Sequence, residues 1–351
     1  MNFKSLCRGA AAAGVVALLS ACGGGQVDDY SPASIYAFGD EQSLLTNDAS
    51  RPNNGRKYSV NLADTTDTTD LECTTYPLWT QLVASGFGRV FDQCRSSTAK
   101  ATAFMRATPL AKVADLDGQI AGTVTGTNSS TGAITFVDKD LATMMVGTYD
   151  MLELYGRVVG KTTALANALG SNYDAVVTGG TLTYDQAVAE ATKRGEQWAA
   201  VQNRVANAGA RVLVVTIPDL SFSPMAIADQ AAADADSTIT DKRRRQLLKD
   251  MTTAYNLAMR KNQINDGRLI GMVLGDTEQD SMVRFPGSYG LSNVVDAVCT
   301  TALPNCTTAT VISAATDKAT QWLWADAYRM GIEYQRRMGD LAYYRANNNP
   351  F

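Results

Sequence analysis

The sequence contains no histidine among its 351 residues. This absence excludes a Ser-His-Asp triad, a Cys-His dyad and any histidine metal site, because each of them requires an imidazole. Any acid–base catalysis must therefore use Asp, Glu, Lys, Tyr or Cys side chains.

The sequence also lacks a strong excess of charge and the common cofactor motifs. Its formal net charge of −4 gives no electrostatic case for binding nucleic acid. It contains no Gly-x-Ser-x-Gly elbow, phosphate-binding loop or dinucleotide fingerprint, so no cofactor is predicted. The Asp/Thr run at 64–70 lacks the Gly and the terminal Glu of a calcium loop and is interpreted as a solvated loop, so no metal site is predicted. Ser97-Thr98-Ala99-Lys100 spells Ser-x-x-Lys, but the Lys-Thr-Gly and Ser-Asp-Asn motifs that accompany it in Ser-Lys hydrolases are absent.

No apolar run at the N-terminus is long enough to span a membrane, which takes about 20 residues. The apolar stretch Ala10–Leu19 follows the basic residues Lys4 and Arg8 and precedes Leu19-Ser20-Ala21-Cys22. This arrangement resembles a bacterial lipoprotein signal peptide, with the cysteine as the lipidated residue. A plain secretory signal is the alternative interpretation.

The resemblance to a lipoprotein signal peptide implies a cellular location and an attachment to the membrane. Residues 1–21 are expected to be removed, and residues 22–33, which include Gly23-Gly24-Gly25, to form a lipidated and flexible tether. Gly23 stands directly after Cys22, as in lipoproteins sorted to the outer membrane. We therefore expect an outer-membrane lipoprotein of the bacterial cell envelope, facing the periplasm or the surface. Its expected partner is the membrane, through a lipid on Cys22; the sequence identifies no protein partner.

Four cysteines remain once Cys7 is removed with the signal and Cys22 carries lipid. An even number in an oxidising compartment predicts disulfides, and three pairings are possible in principle. The favoured pairing closes a loop between predicted elements in each case and joins Cys73 to Cys94 and Cys299 to Cys306. Zinc is the weaker interpretation, because neither pair has zinc-ligand spacing.

Predicted strands alternate with predicted helices along the chain. This alternation indicates an α/β fold with a mostly parallel sheet and helices on both faces, as one domain over residues 34–351. The helix at 184–208 has Thr183 as its N-cap and Gly209 as its C-cap. The other predicted elements are strands at 34–39, 89–91, 141–147, 211–217 and 269–276, helices at 77–84, 109–120, 152–168, 242–262 and 321–345, and loops at 226–240 and 289–310. The helix at 152–168 is predicted in two pieces around Gly156 and Gly160.

The most informative stretch lies at the end of the first predicted strand, where Phe38-Gly39-Asp40 leads into Glu41-Gln42-Ser43. Ligands in open α/β sheets bind beyond the carboxyl ends of the strands, so this turn is the predicted site. Gly147, which ends another buried strand, marks a second possible edge of that site.

Five stretches resemble, in order and spacing, motifs of the GDSL or SGNH hydrolases, and in particular their larger proteobacterial esterase and lipase branch. The resemblance covers nearly all of the mature chain. It implies a flavodoxin-like three-layer α/β/α sandwich and an ancestral activity of hydrolysing carboxylic esters. The stretches are Phe38-Gly39-Asp40, Pro77-Leu78-Trp79, Val215–Leu220, Tyr289–Val294 and Trp324-Ala325-Asp326.

The functional residues of that family are mostly replaced. Its nucleophilic serine corresponds to Glu41, and its catalytic histidine, within Asp-x-x-His, corresponds to Arg329. The oxyanion-hole glycine corresponds to Leu110 and the oxyanion-hole asparagine to Tyr149. Only Asp326 matches the family residue at its position.

These replacements predict a loss of ester hydrolysis. Losing a triad member leaves only residual catalysis, and losing one oxyanion donor costs about 10²–10³ in rate. Glu41 and Arg329 occupy the positions where serine and histidine would touch, and a carboxylate and a guanidinium form strong paired hydrogen bonds. We therefore predict a Glu41–Arg329 ion pair, with Asp326 as the candidate third member. The alternative is that both residues are exposed charges at loop ends.

The sequence supports two functional hypotheses. In the first, the chain is a hydrolase-fold lipoprotein that has lost catalysis and binds an acyl or glycan ligand or serves a structural role. In the second, Ser43 attacks an ester while Glu41 or Asp326 acts as the base. A carboxylate, with an ordinary pKa of about 4, is a poor base for a serine hydroxyl unless burial raises its pKa.

Overall fold

A parallel β-sheet forms the centre of the computed structural model, which describes residues 30–48, 51–62, 71–94, 100–122 and 132–348. The strands are β1 (Ser34–Gly39), β2 (Leu45–Asp48), β3 (Arg51–Lys57), β4 (Ala103–Met105), β5 (Asp140–Met145), β6 (Arg211–Val215), β7 (Ile270–Val273), β8 (Asn293–Ala297) and β9 (Trp322–Trp324). The central sheet has the order β4-β1-β5-β6-β7, and all its neighbouring pairs are parallel. Two smaller sheets pair β2 with β3 and β8 with β9.

The strand order identifies the topology. Counted along the chain, the central strands lie in the order 2-1-3-4-5, which is the flavodoxin-like arrangement. Val212–Val215 in β6 is a continuous buried apolar run, as expected of a parallel strand covered on both faces. The predicted α/β class and the three-layer α/β/α sandwich are confirmed.

Helices cover the sheet in two groups. The helices are α1 (Trp79–Gly86), α2 (Leu116–Ala121), α3 (Thr148–Val159), α4 (Thr163–Leu169), α5 (Tyr173–Val176), α6 (Tyr184–Asn207), α7 (Pro224–Ala235), α8 (Arg244–Asn262), α9 (Gly275–Arg284) and α10 (Ile332–Asn348). One group contains α3, α6 and α8, which pack against one another, and the other pairs α1 with α10, which lies against β6 and β7.

The long helix α6 begins and ends close to the predicted residues. The Thr183 side chain accepts a hydrogen bond from the Gln186 amide, and the Gln186 side chain accepts one from the Thr183 amide. Gly209 follows the last turn with a φ of 111°. Gly195 lets α6 approach α8 closely, since a Cβ there would lie 2.2 Å from the Tyr255 carbonyl oxygen.

Both predicted disulfides are present. Cys73 pairs with Cys94 and Cys299 pairs with Cys306, with Cα–Cα distances of 5.5 and 5.8 Å. Cys306 also belongs to a small apolar cluster with Val298 and Trp322, next to the β8–β9 pair. This bridge therefore anchors the loop that follows β8.

The predicted loop at 226–240 is largely wrong, because α7 occupies Pro224–Ala235. Ser223 caps this helix by accepting a hydrogen bond from the Ala226 amide, and Pro224 takes the first helical position. Alanine has the highest helix propensity, and here it outweighs the interspersed aspartates that suggested a loop.

The loop expected at 289–310 is also partly wrong, because it contains the strand β8 at Asn293–Ala297. Other boundaries differ from prediction as well. The helix expected at 109–120 begins only at Leu116, because Leu110 has a positive φ of 59° and a 3₁₀ turn follows. The helix expected from residue 321 begins at Ile332, because Trp322–Trp324 forms the buried strand β9. The strand expected at 89–91 is reduced to a bridge between Phe91 and Ala103, and β4 takes the sheet edge instead.

Residues 1–29 lie outside the described part of the chain, so the predicted signal peptide, the lipidated Cys22 and most of the tether do too. Within the described ranges, no helix is long and apolar enough to cross a membrane. The same ranges contain no group of three or more acidic or cysteine side chains arranged to hold a metal ion.

Candidate functional site

The candidate site lies where the strand order of the central sheet reverses. β1 and β5 are neighbours, with Gly39 opposite Met145 at their carboxyl ends. The chain continues from β1 to the edge strand β4 on one side and from β5 to β6 on the other, which opens a crevice beyond these ends. Glu41 follows β1 and Tyr149 follows β5, so the topology brings the two together.

The turn after β1 is fixed by a glycine and a buried amide. Gly39 has a φ of 127°, and a Cβ there would lie 1.9 Å from the Met145 carbonyl oxygen, so only glycine fits. The Gln119 side chain accepts a hydrogen bond from the Gly39 N–H at 3.0 Å and donates one to its carbonyl at 2.8 Å. No motif in the sequence pointed to Gln119. This clamp sets the direction in which Glu41 leaves the sheet.

The Glu41 carboxylate receives donors from three separate segments. Its Oε1 accepts a hydrogen bond from the Tyr149 hydroxyl at 2.5 Å and faces Arg329 Nη2 at 3.4 Å. Its Oε2 accepts a hydrogen bond from the Leu110 backbone N–H at 3.1 Å. Glu41 is only 2% exposed, so this carboxylate is enclosed by protein donors.

Leu110 directs its N–H through an unusual backbone conformation. Its φ of 59° lies in the left-handed region, which costs a non-glycine residue about 1–2 kcal/mol. The segment that follows Leu110 is fixed by a hydrogen bond that the Asp150 carboxylate accepts from the Val113 N–H at 3.0 Å. Leu110 therefore keeps the backbone geometry that glycine favours, at the position where the family resemblance expects glycine.

Arg329 joins two carboxylates across the site. Its Nη1 lies 2.5 Å from Asp326 Oδ2, and its Nη2 donates to the Tyr149 hydroxyl at 2.8 Å. Burial opposes the charge on the guanidinium, but Asp326 and the other acidic neighbours outweigh it and hold the pKa of Arg329 above its usual value. The predicted Glu41–Arg329 pair, joined by Asp326, is present, and the alternative of exposed loop-end charges is wrong.

The turn between β9 and α10 orients Arg329. Asp326 Oδ1 accepts hydrogen bonds from the Tyr328 and Arg329 amides, at 3.0 and 2.7 Å. The guanidinium carbon lies 4.4 Å from the centre of the Tyr328 ring and 5.3 Å from that of Tyr58. Tyr328 lies within the Asp-x-x-His stretch of the family resemblance, whereas no motif in the sequence pointed to Tyr58. Both rings stabilise the cation and shield it from water.

Tyr149 acts as a neutral donor in this arrangement. It is almost fully buried, and burial together with the charge of Glu41 raises its pKa well above the usual value. Its hydroxyl lies 3.1 Å from that of Tyr328, which burial also keeps neutral by raising its pKa. Neither phenol is a proton acceptor at neutral pH.

Ser43 is not among the described hydrogen-bond partners of this cluster of polar groups. It is 0% exposed, and its Oγ accepts a hydrogen bond from the Trp79 indole N–H at 3.2 Å. Its backbone N–H donates to the Asp40 carbonyl, and its carbonyl accepts from the Thr80 hydroxyl. Ser43 therefore contributes to the packing of α1 against the turn after β1.

Asp40, the residue before Glu41, is expected to make the stability of the fold depend on pH. Burial and the charge of Glu41 raise the pKa of Asp40 to about 7, above the unfolded value of about 3.9. The folded state then binds the Asp40 proton more tightly than the unfolded state does. The stabilisation that this proton contributes is complete below pH 4 and is lost as the pH rises through 7. The free energy of unfolding falls by at most about 1.4 kcal/mol per pH unit over this range. We expect Asp40→Asn to flatten this part of the pH profile of the unfolding free energy, measured by urea denaturation.

The contribution of Asp150 to the pH dependence must be separated from that of Asp40. Its pKa is raised to about 6, chiefly by burial and despite Arg194, so it acts in the same direction and remains in the variant. The difference between the wild-type and Asp40→Asn profiles isolates Asp40. Parallel profiles from pH 4 to 7 would show that Asp40 is ionised in the folded protein.

The five key sequence-predicted positions thus form one cluster. Glu41, Leu110, Tyr149, Asp326 and Arg329 come from four chain segments and are linked by hydrogen bonds or ion pairs, whereas Ser43 is excluded from the cluster.

No protein-family model matches the chain, and no curated protein is significantly similar to it. The resemblance to SGNH hydrolases therefore rests on the sequence motifs and is compatible with the observed strand order.

Proposed function

We propose that this protein is a cell-envelope lipoprotein with an SGNH-hydrolase-like fold whose catalytic cleft is sealed by its own side chains. It is attached to the outer membrane through a lipid on Cys22 and does not hydrolyse esters. Its role is to bind a ligand beside the sealed cleft or to serve as a structural component of the envelope.

One observation carries the proposal: the Glu41 carboxylate accepts hydrogen bonds from Leu110 and Tyr149, the two positions that the family resemblance assigns to oxyanion donors. The donors that would stabilise a tetrahedral intermediate come from the positions of Leu110 and Tyr149, and both donate to Glu41. A carboxylate held by these donors mimics the negative charge of the intermediate. An ester carbonyl would have to displace a buried, ion-paired anion to reach them.

The proton acceptor is missing as well. General-base catalysis needs a group that takes up a proton near neutral pH, and a guanidinium does not do so. The neighbouring acidic groups hold the pKa of Arg329 above its usual value, which strengthens this argument. Arg329 therefore neutralises Glu41 and does not activate a nucleophile.

The position of Ser43 disfavours the second hypothesis, in which Ser43 is the nucleophile of a rearranged esterase. A nucleophile must reach the carbonyl carbon of a bound ester and have a base within hydrogen-bond distance. Ser43 is fully buried, and its described hydroxyl partner is the Trp79 indole, which is a donor only.

We expect the purified protein to show no turnover of short-chain nitrophenyl esters above buffer and no labelling by a fluorophosphonate probe. The Ser43→Ala variant serves as the matched control and should give the same result. Labelling at a rate typical of lipases would refute the proposed function. If that labelling vanished in Ser43→Ala, the rearranged esterase would be the correct assignment.

A further inference from the structure

A cavity of about 370 Å³ opens beside the turn that carries Arg329. Its floor is the turn 326–329, one wall is the end of α4 with the residues that follow it, 167–172, and the other wall is the loop 299–303. This volume lies within the range of small-molecule sites, about 300–1,000 Å³.

The walls are held in place by covalent and backbone bonds. The Cys299–Cys306 disulfide closes the loop of one wall, and the Cys299 N–H donates to the Ala325 carbonyl just before the floor. The Thr300 hydroxyl donates to the Thr310 carbonyl at 2.7 Å within the same loop. The floor is also tied to α7, because the Met225 N–H donates to the Ala327 carbonyl. A preformed cavity loses less conformational freedom when a ligand binds.

The charges around the cavity disfavour an anionic ligand. Asp326 and Arg329 are the only charged side chains among the described residues that line it, and they pair with each other. The second carboxylate of the cluster, Glu41, gives the group of three a formal charge of −1. A phosphate or a fatty-acid carboxylate would therefore be repelled.

The remaining lining combines apolar residues, such as Leu169 and Leu303, with side chains that suit hydroxyl groups. The Asp326 side chain, which is 22% exposed, accepts hydrogen bonds. Hydroxyl and amide side chains that both donate and accept line the same cavity, among them Asn167, Asn172 and Thr301. A buried hydrocarbon chain would leave these polar groups without partners, which costs free energy. A sugar presents several hydroxyls that satisfy donors and acceptors together.

We propose that this cavity binds a neutral saccharide, with hydroxyls of the sugar donating to Asp326 and pairing with the amide and hydroxyl side chains of the two walls. The inference rests on the proposed function, which places the ligand beside the sealed cleft. It narrows the expected acyl or glycan ligand to the glycan class.

Calorimetry and saturation-transfer NMR with maltose, cellobiose and N,N′-diacetylchitobiose test the proposal, with decanoate as the acyl probe. We expect at least one disaccharide to bind with a Kd of about 1 mM or tighter. Thr301→Trp, which fills the cavity from an exposed wall position, should weaken that binding at least about tenfold. The matched control is Thr181→Trp, an exposed threonine outside the lining, which should leave the Kd unchanged.

Two results would overturn the saccharide proposal: no binding by any of the three disaccharides, or decanoate binding that Thr301→Trp removes. Neither result bears on catalysis, which the fluorophosphonate probe reports separately. Failure of the saccharide proposal and failure of the proposed function are therefore distinguishable.

Discussion

Replacing Arg329 with methionine is expected to lower the free energy of unfolding by about 3–5 kcal/mol, because it leaves buried carboxylates without a counter-charge. Glu41 is 2% exposed, and Arg329 is its only described cationic partner. Methionine keeps much of the side-chain volume, so the loss reports the missing charge more than a cavity. Urea denaturation followed by circular dichroism measures the change.

Arg336 provides the matched control for this experiment. It lies on α10, pairs with Glu333 and Asp340, and its side chain is 47% exposed. Arg336→Met should therefore change the unfolding free energy by no more than about 1 kcal/mol. The double variant Glu41→Gln/Arg329→Met should recover part of the loss, since the buried carboxylate that needed compensation is gone. Equal losses for Arg329→Met and Arg336→Met would show that the ion pair does not compensate a buried charge.

The second prediction is a gain of reactivity from two substitutions, Glu41→Ser and Arg329→His. The donors of Leu110 and Tyr149 already point at the Glu41 carboxylate, and Asp326 already contacts the side chain at 329. Removing the carboxylate frees these donors for an oxyanion, and the imidazole supplies the missing base. We expect the double variant to react with a fluorophosphonate about 10²–10⁴-fold faster than Glu41→Ser alone, which is the usual contribution of a general base.

Two variants separate the contributions of base and nucleophile. Glu41→Ser retains Arg329 and should react slowly, because its serine has no proton acceptor. Glu41→Ala/Arg329→His has the base but no hydroxyl at position 41 and should not be labelled there. Circular dichroism establishes that each variant is folded. A folded double variant that reacts no faster than Glu41→Ser would show that the cluster does not have the geometry of a catalytic triad.

The two substitutions in this experiment are fewer than the sequence alone would have suggested. From the replaced motif residues, a restored enzyme needs four changes, at positions 41, 110, 149 and 329. The structure reduces the number to two. Leu110 offers its N–H from a left-handed backbone without being glycine, and the Tyr149 hydroxyl stands where an asparagine side chain was expected to donate. Neither backbone conformation nor hydroxyl direction can be deduced from residue identity.

The sequence was also a weak guide wherever tertiary contacts overrode local preference. The region 226–240 looked like a loop because of its aspartates, but a Ser223 cap and an alanine-rich body form a helix. The stretch after residue 321 looked helical, but Trp322–Trp324 is buried as a strand beside β8. Elements with strong local signals, such as the Thr183-capped helix and the β-branched strand β6, were predicted to within two residues.

The sequence by itself determined which catalytic chemistry is excluded, because that depends on composition, and it showed the alternation of strands and helices that is typical of an α/β fold. It favoured one of three possible cysteine pairings, and the family resemblance pointed to Glu41 and Arg329 as two opposite charges at the site. Only the tertiary structure decided that Glu41 and Arg329, 288 positions apart, are buried together with the donors of Leu110 and Tyr149 while Ser43 faces an indole. The reason is physical: strand order and turn direction determine which side chains meet, and their low exposure makes Glu41 and Arg329 a buried ion pair rather than two solvated charges.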